Sequence, residues 1–169
     1  NSELEALPSF LEFAQDIGVD ALIIADPGVL EMAKRYAPKV AIHISTQAGV
    51  TNYATANALY NLGASRVVMA REVPLSDIAE IRAKTPKELE IECFVHGAIC
   101  VGYSGRCFLS RSMSTRSGNR GECSQPCRLT WDLVDERGRT LVANKHLLSV
   151  RDLNLSRHIE KIARVGVVS

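Results

Sequence analysis

The sequence predicts an α/β fold, specifically a partial (β/α) TIM-type barrel, and three observations carry that expectation. Short apolar runs begin roughly every 20 to 26 residues and alternate with stretches of helical periodicity. The first run, Ala21-Leu22-Ile23-Ile24-Ala25, is apolar on both faces, as a parallel strand covered on both sides would be. No run leads into a GxGxxG phosphate loop, the mark of a dinucleotide-binding doubly wound sheet, so the short even period points to a barrel instead.

Each element has a local reason. Leu4, Leu7, Leu11, Phe13 and Ile17 recur at near-helical spacing, and Gly18 supplies a stop. Asp26-Pro27-Gly28 ends the first strand and opens a helix whose expected apolar face is Val29, Met32, Ala33 and Tyr36. Val40–Ile44 reads as the second strand, 53–62 as a helix closed by Gly63, and Arg66–Ala70 as the third strand. Pro74 with Ser76-Asp77 begins a helix that runs to Lys84, and Leu89–Val95 is the fourth strand. Beyond Arg128 the pattern changes. Leu129–Val134 and Thr140–Ala143 flank a polar turn containing Gly138 and predict a β-hairpin near the C-terminal end. A helix carrying Leu155, Ile159 and Ile162 follows, and Val165–Val168 starts a further strand.

This divides the chain into βα units over 1–96, a cysteine-rich metal-binding insertion over 97–128, and hairpin, helix and strand start over 129–169, all one domain. The chain opens inside a helical pattern and stops inside an apolar run, so a fragment of a longer protein is expected. Half a barrel leaves unpaired strand edges, which predicts pairing with another copy or piece as a homo-oligomer.

At 169 residues, 46% hydrophobic and net charge +1, the chain suits a soluble domain with a real core and excludes wholesale electrostatic binding of nucleic acid, though not a local basic patch. No apolar run reaches the ~18 residues of a membrane helix, so no membrane partner is expected. Five cysteines without secretion signals favour a reducing, cytoplasmic compartment, where clustered thiols bind metal more often than they pair.

In a parallel barrel, residues just past each strand face a common mouth. Here they are Asp26; Ser45, Thr46 and Gln47; Arg71 and Glu72; and His96, with His43 and Glu92 inside their strands. Each has a bland alternative: Asp26 fits a helix cap equally well, Arg71 and Glu72 a solvated pair, His43 a hydrogen-bonded interior histidine. Convergence of four strand ends favours a site.

Cys100, Cys107, Cys123 and Cys127 lie 7, 16 and 4 residues apart among glycines and polar residues. Four thiolates suit zinc or a [4Fe–4S] cluster, and without CxxC knuckles the spacing does not choose between them. Cys93, between Ile91 and Val95, reads as a core residue. Arg106, Arg111, Arg116, Arg120 and Arg128 share this segment with one acid, Glu122. Guanidinium forks suit planar anions, and Arg106, Arg120 and Arg128 are the candidates for holding cofactor or anion, unless the arginines merely solvate the loop.

FVHGAICVGYSGRCFLSRSMSTRSGNRGECSQPCR, with STQAGVTN at Ser45–Asn52, MARE at Met69–Glu72 and LLSVRDLN at Leu147–Asn154, resembles the collagenase-like peptidase family of unclassified mechanism. The resemblance implies divided expectations. Some members are described as peptidases. Others make 5-hydroxyuridine in tRNA with prephenate, or 5-hydroxycytidine in ribosomal RNA, and relatives carry [4Fe–4S] clusters on four cysteines. Carried over, the ligands would be Cys100, Cys107, Cys123 and Cys127. The expected function is RNA pyrimidine 5-hydroxylation, with tRNA or rRNA and a small carboxylate as partners. His43, Gln47, Arg71, Glu72 and His96 would then be the catalytic contacts, Arg71 for carboxylate or phosphate and His or Glu for proton transfer. A protease is the alternative, although neither HExxH nor GxSxG is present and four thiolates around zinc leave no open position for water. A non-catalytic zinc or RNA-binding module is the third class.

Overall fold

A computed structural model describes residues 2–169. The chain forms two compact units, one comprising residues up to Val95 together with Leu155–Ser169, the other His96–Asn154.

The first unit alternates α1 (Ser2–Asp16), β1 (Ala21–Ile24), α2 (Pro27–Tyr36), β2 (Ala41–Ile44), α3 (Tyr53–Asn61), β3 (Arg66–Val68), α4 (Leu75–Ala83) and β4 (Glu90–Glu92). All strand pairs are parallel and the order in the sheet is β1-β2-β3-β4. Right-handed crossovers that always step the same way gather the helices on one face. The core agrees: Ile24, Ile42, Ile44, Val67 and Ile91 meet Leu11, Leu30, Ala33, Ala56, Ile78 and Ile81. After the helix Ile159–Arg164 the chain returns to the sheet, where Val167 forms a parallel bridge with Ile91 and the Cys93 amide donates to the Ser169 carbonyl at 3.0 Å. This is therefore a mixed α/β fold built on an open parallel sheet. Its strand order is the one a (β/α) barrel uses, but barrel closure is not something the chain displays.

Local chemistry accounts for the boundaries. Asp26 Oδ1 accepts from the Gly28 and Val29 amides at 2.8 and 3.0 Å and so caps α2, with Pro27 at its first turn. Asn52 Oδ1 caps α3 through the Thr55 amide at 2.8 Å. Gly63, at φ +107°, makes the left-handed exit after α3 that a side chain would strain.

Two expectations change. On α1 the inward stripe is Leu7, Leu11 and Ala14, whereas Phe13 and Ile17 are 58% and 60% exposed. Residues 7, 11 and 14 follow the 3.6-residue repeat, and 13 and 17 fall off it. The first strand is also not covered on both faces: Ile23, aligned with His43 on the face away from the helices, is 71% exposed, and that face carries His43, Arg66, Glu90 and Glu92 on the next three strands.

In the second unit, β5 (His96–Gly97) pairs antiparallel with a strand near the unit's end, and α5 (Leu109–Met113) lies between short 3₁₀ turns. The hairpin consists of β6 (Trp131–Val134) and β7 (Thr140–Lys145), and β8 (Leu153–Asn154) is the partner of β5. Asp135 organises the hairpin turn by accepting from the Arg137 and Arg139 amides, each at 2.9 Å, and from Arg139 Nε at 2.7 Å. Those donors hold its carboxyl below the usual 3.8, with the Arg139 amide the largest cause.

Candidate functional site

A polar row crosses the helix-free face of the sheet. Register aligns Ile23, His43, Arg66 and Glu90 on successive strands, and Glu92 lies two residues further along β4 on the same face. Arg66 ties the row together. Its Nε and Nη2 approach Glu90 Oε2 at 2.7 and 2.6 Å, and its Nη1 reaches Glu92 Oε2 at 3.1 Å. These bonds favour the charged guanidinium and raise its pKa. Burial, assisted by Arg66, lowers the His43 pKa from 6.5, while Glu90 and Glu92 pull it the other way. His43 is thus a neutral imidazole at neutral pH, able to accept a proton.

The chain leaves this face through the strand ends. Ser45 Oγ accepts from the Gln47 amide at 3.2 Å, and the buried Thr46 hydroxyl donates to the Met69 carbonyl at 3.1 Å. The Ala70 amide donates to the Val50 carbonyl at 3.0 Å, so the segment after β2 is bolted to the segment after β3. Arg71 follows immediately, with its guanidinium carbon 3.8 Å above the centre of the Phe94 ring. Glu72 beside it is exposed. Of the five expected catalytic contacts, His43, Gln47, Arg71 and Glu72 lie in the first unit. His96 belongs to β5 of the second unit, is exposed, and pairs with Asn154.

All four candidate ligands, Cys100, Cys107, Cys123 and Cys127, lie in the second unit as free thiols. The loop around them is held by polar bonds rather than apolar packing. Cys107 Sγ accepts from the Leu109 amide at 3.4 Å, and Cys123 Sγ from the Gln125 amide at 3.3 Å. Amide-to-sulfur bonds of this kind stabilise thiolates and tune metal–thiolate centres. Ser110, 2% exposed, joins the two arms: its hydroxyl donates to the Arg116 carbonyl at 3.1 Å and accepts from the Ser124 amide at 3.0 Å. With its single proton so used, the 2.9 Å contact to Ser124 Oγ has Ser124 as donor. Gly102 approaches so closely that a Cβ there would stand 2.9 Å from Cys107 Cβ. The donor set suits a four-thiolate metal centre in its chemistry. In assembled geometry, no group of three or more His, Cys, Asp or Glu side chains among the described residues gathers as a metal site. Cys93 stands apart, packed against the core of the first unit, and burial, then Glu92, raises its thiol pKa.

The arginines divide by use. Arg111 Nη1 donates to the Thr115 carbonyl at 2.8 Å and Arg116 Nε to the Glu122 carbonyl at 2.9 Å. Arg106 and Arg120 are exposed at the ends of 3₁₀ turns. Arg128, expected to meet an anion, instead donates within the unit: Nη1 to Ser149 Oγ at 2.9 Å and the Val150 carbonyl at 2.6 Å, Nη2 to the Ile99 carbonyl and Asp152 Oδ1, both at 3.1 Å. Ile99 precedes Cys100 and Arg128 follows Cys127, so this guanidinium clasps the two ends of the cysteine loop.

Sequence reasoning missed Arg66 and Glu90. Their signal was available, since both alternate with buried Val67 and Ile91 just as His43 alternates with Ile42 and Ile44. What was missing was the register that puts them in one row.

Fold and site together define a parallel α/β protein with a separate cysteine-bearing unit. The chain belongs to peptidase family U32, whose family model matches residues 1–169. It is 39% identical to tRNA hydroxylation protein P of Helicobacter pylori over 182 aligned residues, which covers 100% of this chain and 42% of that protein. It is also 39% identical to a 23S rRNA 5-hydroxycytidine synthase of Escherichia coli, covering 100% of this chain and 25% of that protein. Identity to a collagenase of Porphyromonas gingivalis is 30%, covering 99% of this chain and 42% of that protein. The chain therefore spans less than half the length of these relatives. Among solved structures it resembles the U32 peptidase Mk0906, with TM-score 0.53 and 20% identity, over 86% of this chain and 58% of that one, a likeness of fold alone. No helix among the described residues is long and apolar enough to cross a membrane.

Proposed function

We propose that this chain is part of an enzyme that hydroxylates a pyrimidine in tRNA or rRNA, working in the cytoplasm. The observation that carries the reading is 39% identity over the whole chain to proteins named for tRNA hydroxylation and for 5-hydroxycytidine synthesis. Under the same proposal the parallel sheet is an arc of a (β/α) barrel, and the polar row faces its interior.

In this reading Cys100, Cys107, Cys123 and Cys127 are the residues that would hold a [4Fe–4S] cluster, which when bound supplies one-electron redox chemistry. The remaining work falls to the chain's own side chains. Neutral His43, beside Arg66, accepts or returns a proton on the helix-free face of the sheet. Gln47, held in the turn that Ser45 caps, supplies amide donors and acceptors for orienting a base. Arg71 and Glu72 lie past β3, where a carboxylate-bearing co-substrate such as prephenate would be positioned. Arg128 keeps the cysteine loop closed, and Arg106 and Arg120, exposed at the surface, are the arginines assigned to anionic contacts.

Nucleoside mass spectrometry of RNA from a deletion strain tests the proposal. The expected result is loss of one 5-hydroxypyrimidine, restored by the wild-type gene, and an unchanged nucleoside profile would refute it. Anaerobic purification adds a second measure, with about four irons per chain expected. Peptidase activity is the second reading, favoured by the family name and the collagenase relative. Hydrolysis of denatured collagen that survives Cys100→Ala and Cys123→Ala would favour it.

A further inference from the structure

We propose that Arg71 and Phe94 form an oxyanion-binding subsite, in which Arg71 offers an unused guanidinium fork to a carboxylate or phosphate group and Phe94 fixes the plane of that fork. The inference rests on the RNA-modification reading for its ligand sources, a small carboxylate co-substrate or the RNA backbone.

Comparison among the half-buried arginines singles out Arg71. Arg66 is saturated by Glu90 and Glu92. Arg82 donates to the Thr85, Pro86 and Leu89 carbonyls. Arg128 is taken up by four acceptors. Each of these guanidiniums exchanges water for protein acceptors. Arg71 is half-buried too, yet among the described residues its guanidinium makes no hydrogen bond or ion pair and lies over the Phe94 ring. A solvated arginine on a flexible stem needs no such support. Here the stem starts directly after a backbone tied at two successive residues, by Thr46 to Met69 and by Ala70 to Val50. A guanidinium held over the ring by its face keeps its five N–H donors at its own edge, which preserves the bidentate geometry a carboxylate or phosphate requires. The entropy of ordering a long side chain is already removed before a ligand arrives. Phe94 is thus a positioning residue, and Arg71 the group that touches the ligand.

The test titrates the full chain by isothermal calorimetry with two probes, benzoate for the planar carboxylate and a uridine tetranucleotide for the RNA phosphate. Wild type is expected to bind at least one. Arg71→Lys keeps the charge but loses the fork, and should weaken that probe about tenfold or more, as loss of a charge-assisted bidentate pair implies. Phe94→Leu should weaken it about two- to fivefold, the share of an exposed cation–π contact, and Phe94→Tyr should restore it. Whichever probe responds identifies the source. Circular dichroism should be unchanged in all three variants, because Arg71 ties no other element. Equal binding of both probes by wild type, Arg71→Lys and Phe94→Leu would overturn the subsite, as would no binding of either probe by wild type. The two proposals fail separately. Arg71-dependent binding in a protein whose deletion leaves RNA unmodified in profile sustains the subsite without the reading. Loss of the hydroxypyrimidine on deletion, with probe binding indifferent to Arg71, sinks the subsite alone.

Discussion

Arg128→Ala should unfasten the cysteine loop, and the structure sets the size of the effect. Arg128 is 24% exposed in its side chain and serves four acceptors. The ion pair to Asp152 is the weak part, since that carboxylate is 66% exposed and a surface pair contributes ~1 kcal/mol or less. The bonds to Ser149, Val150 and Ile99 come from a charged donor and would each contribute more in a dry site. Partial rehydration of those acceptors brings the total for Arg128→Ala to about 2–4 kcal/mol. That is a large share of the ~5–15 kcal/mol that holds a typical domain. The reporter is built in. The chain's one tryptophan, Trp131, donates from Nε1 to the Pro126 carbonyl at 3.0 Å, two residues from the clasp. Urea unfolding followed by Trp131 fluorescence should show the midpoint falling by ~1–2 M. Asp152→Asn should lose under about 1 kcal/mol, because only the exposed arm is touched. If Arg128→Ala unfolds with the wild-type midpoint, or loses no more than Asp152→Asn, Arg128 does not hold the cysteine loop.

Three further outcomes follow from the geometry. Ser110→Ala removes the buried hydroxyl that serves both the Arg116 carbonyl and the Ser124 amide, so unfolding stability should fall by about 1–3 kcal/mol; a loss under ~0.5 kcal/mol would mean that water replaces it at both groups. Gly102→Ala drives a Cβ to 2.9 Å from Cys107 Cβ, and the alkylation rate of Cys107 should change at least several-fold relative to Cys93, measured by mass spectrometry. For pH, the His43 pKa is depressed in the folded chain, so the unfolded chain takes up the proton first as pH drops below about 6.5. Stability is therefore level above that value and declines below it. His43→Gln should flatten the decline below about pH 6.5 in denaturation midpoints, and an unaltered slope would show that another group carries it.

What the sequence made legible and what it hid divide along a physical line. Features written in neighbouring residues were readable. Gly63 closing a helix, Pro27 opening one, and the apolar run 165–168 returning to the sheet all depend on backbone chemistry a few residues long. Asp26 shows the limit of that reading. Its sequence context suited a cap or a mouth residue equally, and only the 2.8 and 3.0 Å bonds to Gly28 and Val29 decide for the cap. Features that depend on register were hidden. Arg66 and Glu90 are 24 residues apart in sequence, and nothing local says that one guanidinium will bridge Glu90 and Glu92 beside His43.

The arginines show the same division at the scale of single side chains. In sequence both Arg71, past a strand end, and Arg128, beside the last cysteine, were candidates for meeting an anion. Partner count separates them. Arg128 satisfies four acceptors and closes a loop, whereas Arg71 keeps its donors and rests on Phe94, which no local pattern marks out. A saturated guanidinium has exchanged its water for protein and has little left to offer a ligand. One that is oriented but unsaturated still carries its donors, and ordering it without using it makes physical sense where something else completes the pairing. On that ground the proposed subsite is placed on Arg71, which the sequence also sets against carboxylate or phosphate, and not on Arg128.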